Sequence, residues 1–370
     1  MKVAIVPDKF HGTLGARRAA EAMATGVRRA LPDARISLHP MADGGEGTID
    51  ALAPRGIRVD RLEVPGPLGE AVAAPLLWLD ERCAVVEMAT ASGISLVPPD
   101  ARDALRATSE CTGALVKAAC ERGAREVLVG IGGSASTDGG TGAARALGWR
   151  FLDEGGAQLP PGGGPLVDLA LIDGRSSAPS DARIRGLCDV DNPLLGRRGA
   201  ARTFAPQKGA SPAEVARLEQ ALAAFADRLS ADAGIEVGGL AGAGAGGGMG
   251  AGLVAFFGAA LERGFDVLAR LVGLPEAIAG ASLVVTGEGT LDEQTLAGKT
   301  PMGVARLATG RGARCVVVAG EVRVDEARLA ALGMEAVSLV EEVGHEAASS
   351  DAAGAIETVV ERWVRRRFRG

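Results

Sequence analysis

Two aspartates placed two residues apart follow a short apolar run in the segment LCDVDNPLLGRRGA. They are Asp189 and Asp191, and Asn192 with Pro193 turns the chain directly after them. If the chain stays extended there, the two carboxylates face one side, and open α/β sheets bind ligands at the carboxyl ends of their strands. Such carboxylates can act as a general base or hold Mg²⁺. The alternative is that they only cap the turn.

A second pair of carboxylates lies among glycines in PMADGGEGT, residues 40–48. Asp43 and Glu46 are three residues apart at a predicted helix start, where they could form an acid/base pair or bind a ligand. Their spacing also fits a capping arrangement, with Asp43 as the N-cap and Glu46 at the third helical position. The spacing alone leaves both interpretations open.

The segment GIGGSASTDGG, residues 130–140, leads from a predicted strand into a predicted helix. Such a turn presents backbone N–H groups and the positive end of the helix dipole, so it can bind phosphate groups. It also matches the G-x-G-x-x-A pattern of dinucleotide-binding folds. Against that match, Asp138, Gly139 and Gly140 interrupt the helix that should begin inside the motif.

Lysine is rare in this chain, yet Lys9, Lys208 and Lys299 each lie beside a glycine-containing polar loop. A flexible ammonium suits a phosphate ligand; the alternative is that these are three ordinary surface lysines. The segment TGEGTLDEQTLAGKT ends like a P-loop, but Glu293 stands where that motif requires its first glycine, so a P-loop is not expected. His11 lies in the first glycine turn, DKFHGT.

The composition excludes several classes of protein. The net charge is −6, the pI is about 5.4, and aromatic residues make up 3% with no tyrosine. A surface for polyanions and a stacking platform for nucleic acid are therefore not expected. The longest apolar stretch, residues 251–261, is shorter than the roughly 20 residues of a membrane span. The scattered cysteines and the absence of a signal-like N-terminus predict a cytoplasmic protein.

Alternating strands and helices predict the elements that position these residues. We expect an α/β fold: a doubly wound, Rossmann- or flavodoxin-like parallel-sheet domain and a second, inserted α/β domain. The change to short strands near Val64 and the return of alternation near the C-terminus place the first domain at 1–63 and 280–370, and the insert at 64–279. Within the insert, the Gly/Ala run 238–250 is interpreted as a possible hinge.

The sequence resembles the type 1 glycerate kinases, a family distinct from the P-loop plant enzymes. The resemblance spans nearly the whole chain and rests on ordered segments: VPDKFHGTL, PMADGGEGT, GIGGSASTDGG, CDVDNPLLGRRGA, APQKGA, GAGGGMGAGL and TGEGTLDEQTLAGKTPMGVA. It implies a two-domain α/β enzyme that phosphorylates D-glycerate with ATP and Mg²⁺, usually at the 2-hydroxyl. We expect a small-molecule substrate, no nucleic-acid or membrane partner, and a monomer or homodimer.

The resemblance also implies roles for individual residues. Asp189 is expected to be the base, and Asp191 or Asp43 to hold Mg²⁺. Lys9, Lys208 and Asp43 are expected to take part in catalysis. The ATP phosphates are expected at Gly132, Gly133, Ser134, Thr137, Asp138, Gly139 and Gly140. Glycerate is expected to contact Asp8, His11, Glu46, Asp191, Asn192, Glu288 and Lys299.

Three positions depart from the family pattern: His11 replaces a lysine, Thr290 an arginine and Thr137 an asparagine. A histidine at position 11 makes any contact shorter and dependent on pH near neutrality. Other functions also stay open from the residues alone. They are an NAD-dependent dehydrogenase for a similar hydroxy acid, a kinase for another small hydroxy acid or polyol, and a ligand-binding regulator without turnover.

Overall fold

The computed structural model describes residues 1–10, 12–174, 181–296 and 298–368. The strands, numbered in chain order, are β1 (Lys2–Pro7), β2 (Arg35–Leu38), β3 (Arg58–Pro65), β4 (Ala71–Trp78), β5 (Cys83–Glu87), β6 (Glu126–Gly130), β7 (Arg150–Leu152), β8 (Leu171–Asp173), β9 (Arg183–Leu187), β10 (Ala260–Glu262), β11 (Leu283–Leu291), β12 (Arg314–Val322) and β13 (Met334–Ser338).

The α-helices are α1 (Ala16–Ala30), α2 (Thr48–Leu52), α3 (Met88–Ala91), α4 (Glu110–Glu121), α5 (Thr141–Ala146), α6 (Ala200–Phe204), α7 (Pro212–Ala233), α8 (Ala245–Phe257), α9 (Gly264–Leu271), α10 (Leu274–Ala277), α11 (Glu293–Leu296), α12 (Thr300–Thr309), α13 (Glu326–Ala331), α14 (Leu339–Val343), α15 (His345–Ser350) and α16 (Ala352–Phe368). Short 3₁₀ turns lie at Ala53–Arg55, Ile94–Leu96, Pro99–Ala101, Gly164–Asp168 and Pro206–Lys208. Over the described ranges, no helix is long and apolar enough to cross a membrane.

The chain forms two compact units, of which the first comprises residues 1–43 and 265–370 and the second residues 44–264. The α/β fold expected from the sequence is confirmed, but both boundaries lie earlier in the chain than the expected 63/64 and 279/280. The N-terminal boundary moves because β3 pairs with β4 along its whole length, which binds it to the second unit. The C-terminal boundary moves because the ring of Phe265 packs where a Cβ on Gly303 would lie.

The first unit contains a five-stranded parallel sheet in the order β13-β12-β11-β1-β2. From β1 the chain moves outward to β2, and after the second unit it returns to β11 on the opposite side of β1. The strand order therefore reverses between β1 and β11, which is the point where open α/β sheets bind ligands. Apolar residues of α1 and α16 cover one face of this sheet, with Val27, Ile356 and Trp363 in the core.

The second unit contains a six-stranded mixed sheet in the order β10-β9-β6-β5-β4-β3. The strands β3, β4 and β5 are antiparallel, whereas β5, β6, β9 and β10 run parallel. The carboxyl ends of β5, β6 and β9 therefore lie at one edge of the sheet. The segments that follow these three strands start from this edge; they begin at Met88, Ile131 and Cys188.

The Gly/Ala run 238–250 is not the hinge that its composition suggested. Its second half enters α8, and Gly246, Gly247 and Gly248 adopt positive φ angles of 64°, 71° and 92°. A Cβ on Gly248 would lie 2.6 Å from the Cα of Gly139, and one on Gly247 would overlap the carbonyl oxygen of Ser136. The glycines are needed because the backbone of this segment packs directly on the backbone of residues 136–139.

A substitution within the run tests this packing. Gly247→Ala should lower the free energy of unfolding by at least about 2 kcal/mol, because the new methyl group combines a strained backbone conformation with steric overlap. Urea denaturation of the purified variants measures the change. Gly239→Ala is the matched control, since that glycine has open space around it and no positive φ; it should be neutral or stabilising by less than about 1 kcal/mol. Equal stability of the two variants would contradict the packing argument.

Candidate functional site

In the first unit, two acidic side chains lie at the point where the strand order reverses. Asp8 directly follows β1, and its N–H donates to the carbonyl oxygen of Gly287 at 2.8 Å. Glu288 lies on the neighbouring strand β11, one residue beyond Gly287, the partner of Pro7 in the sheet register. Both side chains are buried, with 9% and 8% of each residue exposed. The position and the chemistry together make this crevice a candidate ligand site.

The surroundings of Asp8 disfavour its charged form. Burial, and then the charge of Asp43, raise the pKa of Asp8 to about 7, while a hydrogen bond from Thr300 and the N–H and charge of Lys9 act in the opposite direction. The Lys9 N–H donates to Oδ1 of Asp8 at 2.7 Å. The carboxyl group of Asp8 is therefore partly protonated near neutral pH and can either donate or accept a hydrogen bond.

Glu288 shows the same behaviour. Burial raises its pKa to about 8, and the charges of Asp8 and Asp292 add to that effect. Thr295 donates to Oε1 of Glu288 at 2.5 Å, and this hydrogen bond together with the charge of Lys299 limits the shift. Residues 286–291, which include Glu288 and two glycines, continue β11 as a strand. The strand fixes the Glu288 backbone next to Asp8.

The first unit thus brings together several residues that the sequence singled out. Asp8, Lys9, Asp43, Glu288 and Lys299 interact electrostatically around this crevice. Lys299 is the N-cap residue of α12, although no side-chain cap is formed there. His11, the other residue expected here, lies outside the described residues.

In the second unit, a buried ammonium holds the loop that follows β6. Lys208 is 2% exposed, and its Nζ donates to the Oγ of Ser134 at 2.8 Å and to the carbonyl oxygen of Ser136. Burial lowers the pKa of Lys208 to about 7, partly offset by the charge of Asp138. Among the described ranges, no carboxylate forms a salt bridge with Lys208. A buried cation without an acidic partner is costly, which makes this point favourable for an anionic ligand.

Asp138 builds the loop rather than presenting a carboxylate to a ligand. It is fully buried and accepts hydrogen bonds from the N–H and the Oγ of Ser109, both at 2.8 Å. It also accepts from the N–H groups of Gly140 and Gly142, both at 3.1 Å. The expected contact between Asp138 and a nucleotide is therefore replaced by a structural role, because the carboxylate oxygens are occupied within the protein.

The expectation that the whole loop cradles phosphate groups is likewise too broad. The N–H of Gly132 donates to Gly44, and that of Gly139 to Gly247, at 3.2 and 3.1 Å. The amides of Gly133, Ser134 and Thr137 have no acceptor in the part of the chain that the structure describes. The hydroxyl groups of Ser136 and Thr137 are buried and unpaired there as well.

The two aspartates after β9 differ in their surroundings. Asp189 is buried. The pKa of the neighbouring Cys188 thiol is raised to about 11, chiefly by burial of the thiol and next by the charge of Asp189. Asp191 is exposed over 68% of its side chain and forms a salt bridge with Arg198. Asn192 donates from Nδ2 to the carbonyl oxygen of Arg198 at 2.7 Å, so it stabilises the turn. The two carboxylates therefore do not form the matched pair that their spacing suggested.

The predicted metal ligands do not form a complete protein site. Asp43 ends the first unit and Asp191 lies in the second. Within the described ranges, no group of three or more His, Cys, Asp or Glu side chains could hold a metal ion. Any Mg²⁺ would depend on one or two carboxylates together with water and ligand oxygens, as is common for this ion.

The capping arrangement proposed for Asp43 and Glu46 does not occur. The N-cap of α2 is Gly47, without a side-chain cap from its own segment. Glu87, at the carboxyl end of β5, instead accepts from the N–H of Gly47 at 3.0 Å and of Ile49 at 2.7 Å, while Glu46 is exposed. The role of Glu87 was not predicted from the sequence. The signal for it is a glutamate at the end of the apolar strand segment CAVVE, residues 83–87.

The chain is similar over most of its length to known proteins. The model of the glycerate kinase family matches residues 3–367. The chain is 42% identical over 342 residues to a glycerate kinase of Bacillus subtilis, covering 91% of this chain and 89% of that protein. It is 42% identical over 341 residues to the glycerate 2-kinase of Escherichia coli, covering 91% and 90%. The crystal structure of a putative glycerate kinase 2 from Salmonella typhimurium LT2 matches with a TM-score of 0.78 and 39% identity, covering 99% of this chain and 98% of that chain.

The buried Lys208 predicts a specific pH dependence of stability. Its folded pKa, about 7, lies below the usual value of 10.5, so between these values the unfolded chain binds more protons and stability rises with pH. Lys208→Met removes the pH-dependent stability that arises from Lys208. The free energy of unfolding of the wild type minus that of the variant should therefore rise by up to about 1.4 kcal/mol per pH unit above pH 7. Urea denaturation at pH 7 and pH 8.5 measures the difference.

Lys117→Met is the matched control, because the Lys117 side chain is 39% exposed beside Glu121. The difference in the free energy of unfolding between Lys117→Met and the wild type should stay constant over the same pH range. If the difference in the free energy of unfolding between Lys208→Met and the wild type is also constant, the ammonium of Lys208 is not desolvated in the folded protein.

Proposed function

Because the chain belongs to the glycerate kinase family, we propose that it transfers the γ-phosphoryl group of ATP to the 2-hydroxyl of D-glycerate. The observation that carries the proposal is the buried ammonium of Lys208, which is held by Ser134 and Ser136 without an acidic partner. The relative named glycerate 2-kinase supports the choice of hydroxyl group. The roles below are assigned separately within each unit.

We place the phosphate groups of the nucleotide at the loop that Lys208 holds. The amides of Gly133, Ser134 and Thr137 can donate to phosphate oxygens, as glycine-rich loops do in other nucleotide sites. The positive charge of Lys208 balances the charge of the phosphates, and in a site removed from water this attraction is stronger than in solution. The loop needs no large rearrangement, because Asp138 already holds its second half.

We assign the role of general base to Asp189. It follows β9, the neighbour of β6 in the sheet, and the N–H of Ile131 donates to the carbonyl oxygen of Leu187 at 3.3 Å. The proposed base and the proposed phosphate loop thus begin at adjacent strand ends of one unit. In phosphoryl transfer, a carboxylate at such a position orients the attacking hydroxyl group and accepts its proton.

The crevice of the first unit suits a small hydroxy acid. Lys9 and Lys299 can pair with the carboxylate of glycerate. Asp8 and Glu288, whose raised pKa values leave them partly protonated near neutral pH, can both donate hydrogen bonds to the hydroxyl groups and accept them. Of the residues that the resemblance implied for the substrate, this assignment uses Asp8, Glu288 and Lys299, whereas Asp191 and Asn192 hold their own turn.

A magnesium ion fits the first unit better than the second. Asp43 lies close enough to Asp8 for its charge to raise the pKa of Asp8, and two carboxylates that repel each other favour a cation between them. In the second unit Asp191 is already paired with Arg198. Asp43 would therefore hold Mg²⁺, which keeps several water ligands. When bound, the ion would supply positive charge that stabilises the anionic oxygens of a ligand in this crevice.

The proposal is tested by an assay of the purified protein with ATP, MgCl₂ and D-glycerate. ADP should form only when D-glycerate is present, and phosphorus NMR should identify the product as 2-phosphoglycerate. A 3-phosphoglycerate signal would overturn the assignment of the 2-hydroxyl as the acceptor but would agree with the proposed kinase activity. Oxidation of D-glycerate with NAD and without ATP would replace the proposal with the dehydrogenase alternative.

The role of Asp189 is tested by its replacement with an amide of the same size. Asp189→Asn should lower kcat on the order of 100-fold or more, because the amide cannot accept a proton from the hydroxyl group. The KM for ATP should stay near its wild-type value, since the phosphate loop is unchanged. Asp227→Asn, at an exposed position of α7, serves as the control and should keep full activity. Near-normal turnover in a folded Asp189→Asn variant would exclude Asp189 as the base.

A further inference from the structure

The two carboxyl oxygens of Glu288, in the crevice of the first unit, have different surroundings. Oε1 accepts a hydrogen bond from the hydroxyl of Thr295 at 2.5 Å. Oε2 accepts none from the part of the chain that the structure describes, and it retains contact with solvent. Because Glu288 is only 8% exposed, an oxygen without a hydrogen-bond partner is costly there. Oε2 is therefore the oxygen that a ligand could engage.

The hydroxyl of Thr295 is committed to Glu288. It carries a single proton, for which three acceptors lie within reach. Oε1 of Glu288 is the nearest, whereas the carbonyl oxygen of Thr290 lies at 3.4 Å and Oδ1 of Asp292 at 3.5 Å. A distance of 2.5 Å is at the short end for hydrogen bonds between oxygens, as expected for a carboxyl acceptor. The proton therefore points toward Glu288.

Thr295 is itself held in place. It is fully buried, and the N–H of Asp292 donates to its Oγ1 at 3.2 Å. The N–H of Thr295 in turn donates to Oδ1 of Asp292 at 3.1 Å. These reciprocal bonds tie α11 to the residue that follows β11. The hydroxyl of Thr295 thus accepts from Asp292 and donates to Glu288, and a rotation of its side chain would break both bonds.

The sheet fixes the other end of Glu288. Its backbone lies opposite Ala319 of β12, and the preceding Gly287 lies opposite Pro7 of β1. The backbone is therefore held by strands on both sides, while Thr295 holds the carboxyl group. A glutamate side chain loses much rotational freedom when a ligand orders it. Here most of that freedom is already lost in the folded protein, which lowers the entropic cost of binding.

We infer that Thr295 is a positioning residue for the substrate: by holding Oε1 of Glu288, it presents Oε2 to a hydroxyl group of the bound acid. The inference rests on the proposed function and adds which residue lets the crevice select a dihydroxy acid. Thr295 itself touches no substrate in this account, and its effect is transmitted through the Glu288 carboxyl group.

The chemistry of glycerate indicates which hydroxyl group Glu288 engages. The proposed reaction phosphorylates the 2-hydroxyl, so the hydroxyl group left for a binding contact is the 3-hydroxyl. D-Lactate has the same carboxylate and the same 2-hydroxyl as D-glycerate, but it carries only hydrogen where glycerate has the 3-hydroxyl. A comparison of the two acids therefore isolates the contact with Oε2 of Glu288, because a site built for a hydroxyl group disfavours a ligand that lacks it.

Steady-state kinetics of purified variants test the inference. Thr295→Val keeps the size of the side chain and removes the hydroxyl, so it should raise the KM for D-glycerate about fivefold or more, the effect of one weakened hydrogen bond. The inhibition constant of D-lactate should change less than about twofold, because this acid has no 3-hydroxyl contact to lose. The kcat and the KM for ATP should also stay within about twofold of the wild type, since neither depends on this contact.

Three further variants complete the experiment. Thr295→Ser keeps the hydroxyl and should keep the KM for D-glycerate within about twofold of the wild type. Thr295→Ala also lacks the hydroxyl but is smaller, so the test remains decisive if Thr295→Val does not fold. Thr309→Val is the matched control, because the Thr309 hydroxyl donates to the carbonyl oxygen of Ala305 at 2.8 Å at an exposed position of α12. It should leave all the kinetic constants unchanged.

The outcomes are distinguishable. A higher KM for D-glycerate alone, restored in Thr295→Ser, supports the role of Thr295. An unchanged KM in a folded variant without the hydroxyl would overturn it, and so would an equal weakening of D-glycerate and D-lactate, which indicates a general distortion of the crevice. If the wild-type chain does not phosphorylate D-glycerate, the proposed function itself is overturned. If it does and only the effect of Thr295 is missing, the proposed function stands without this inference.

Discussion

The second unit depends on one buried interaction, the contact of the Lys208 ammonium with Ser134 and Ser136. Removing this ammonium from water is expensive, and the hydrogen bonds from the loop offset only part of that cost. An anion bound there would lower the remaining cost and would tie the stability of the loop to ligand binding. The same contact requires a close backbone approach from α8, because any side chain on Gly247 would overlap Ser136. The glycine at position 247 follows from this constraint.

Several carboxylates of the molecule build the sites without acting chemically. Asp138 accepts four hydrogen bonds of 3.1 Å or shorter from Ser109, Gly140 and Gly142. Glu87 accepts two from the start of α2. In both cases backbone N–H groups occupy the carboxylate oxygens. Asp8 and Glu288 lack such a set of donors, which is why burial raises their pKa values and leaves them suited to contact a ligand.

The topology of each sheet decides where these groups meet. In the first unit the strand order reverses at β1 and β11, which leaves room for a ligand next to Asp8 and Glu288. In the second unit the strand order follows the chain, and the edge where β5, β6 and β9 end collects Glu87, the loop after β6 and Asp189. Membership of the glycerate kinase family is consistent with an enzyme that needs both a phosphate loop and a site for a small hydroxy acid.

The sequence by itself determined the class of fold, most strands and the glycine loop after β6, because apolar periodicity and glycine-rich turns are local properties of the chain. It also singled out Asp189 and Lys208 as candidate site residues. It did not determine the partners of the polar groups. Asp138 and Asp189 are both aspartates after a buried strand, and nothing in the sequence indicates that Asp138 is enclosed by the N–H groups of Ser109, Gly140 and Gly142. Asp191 looks equivalent to Asp189 in the sequence, but Arg198 binds it at the surface. Glu87 accepts a hydrogen bond from the N–H of Gly47, which lies 40 residues away in the sequence. Contacts between residues so far apart in the chain are set by sheet order and packing, which only the tertiary structure decides.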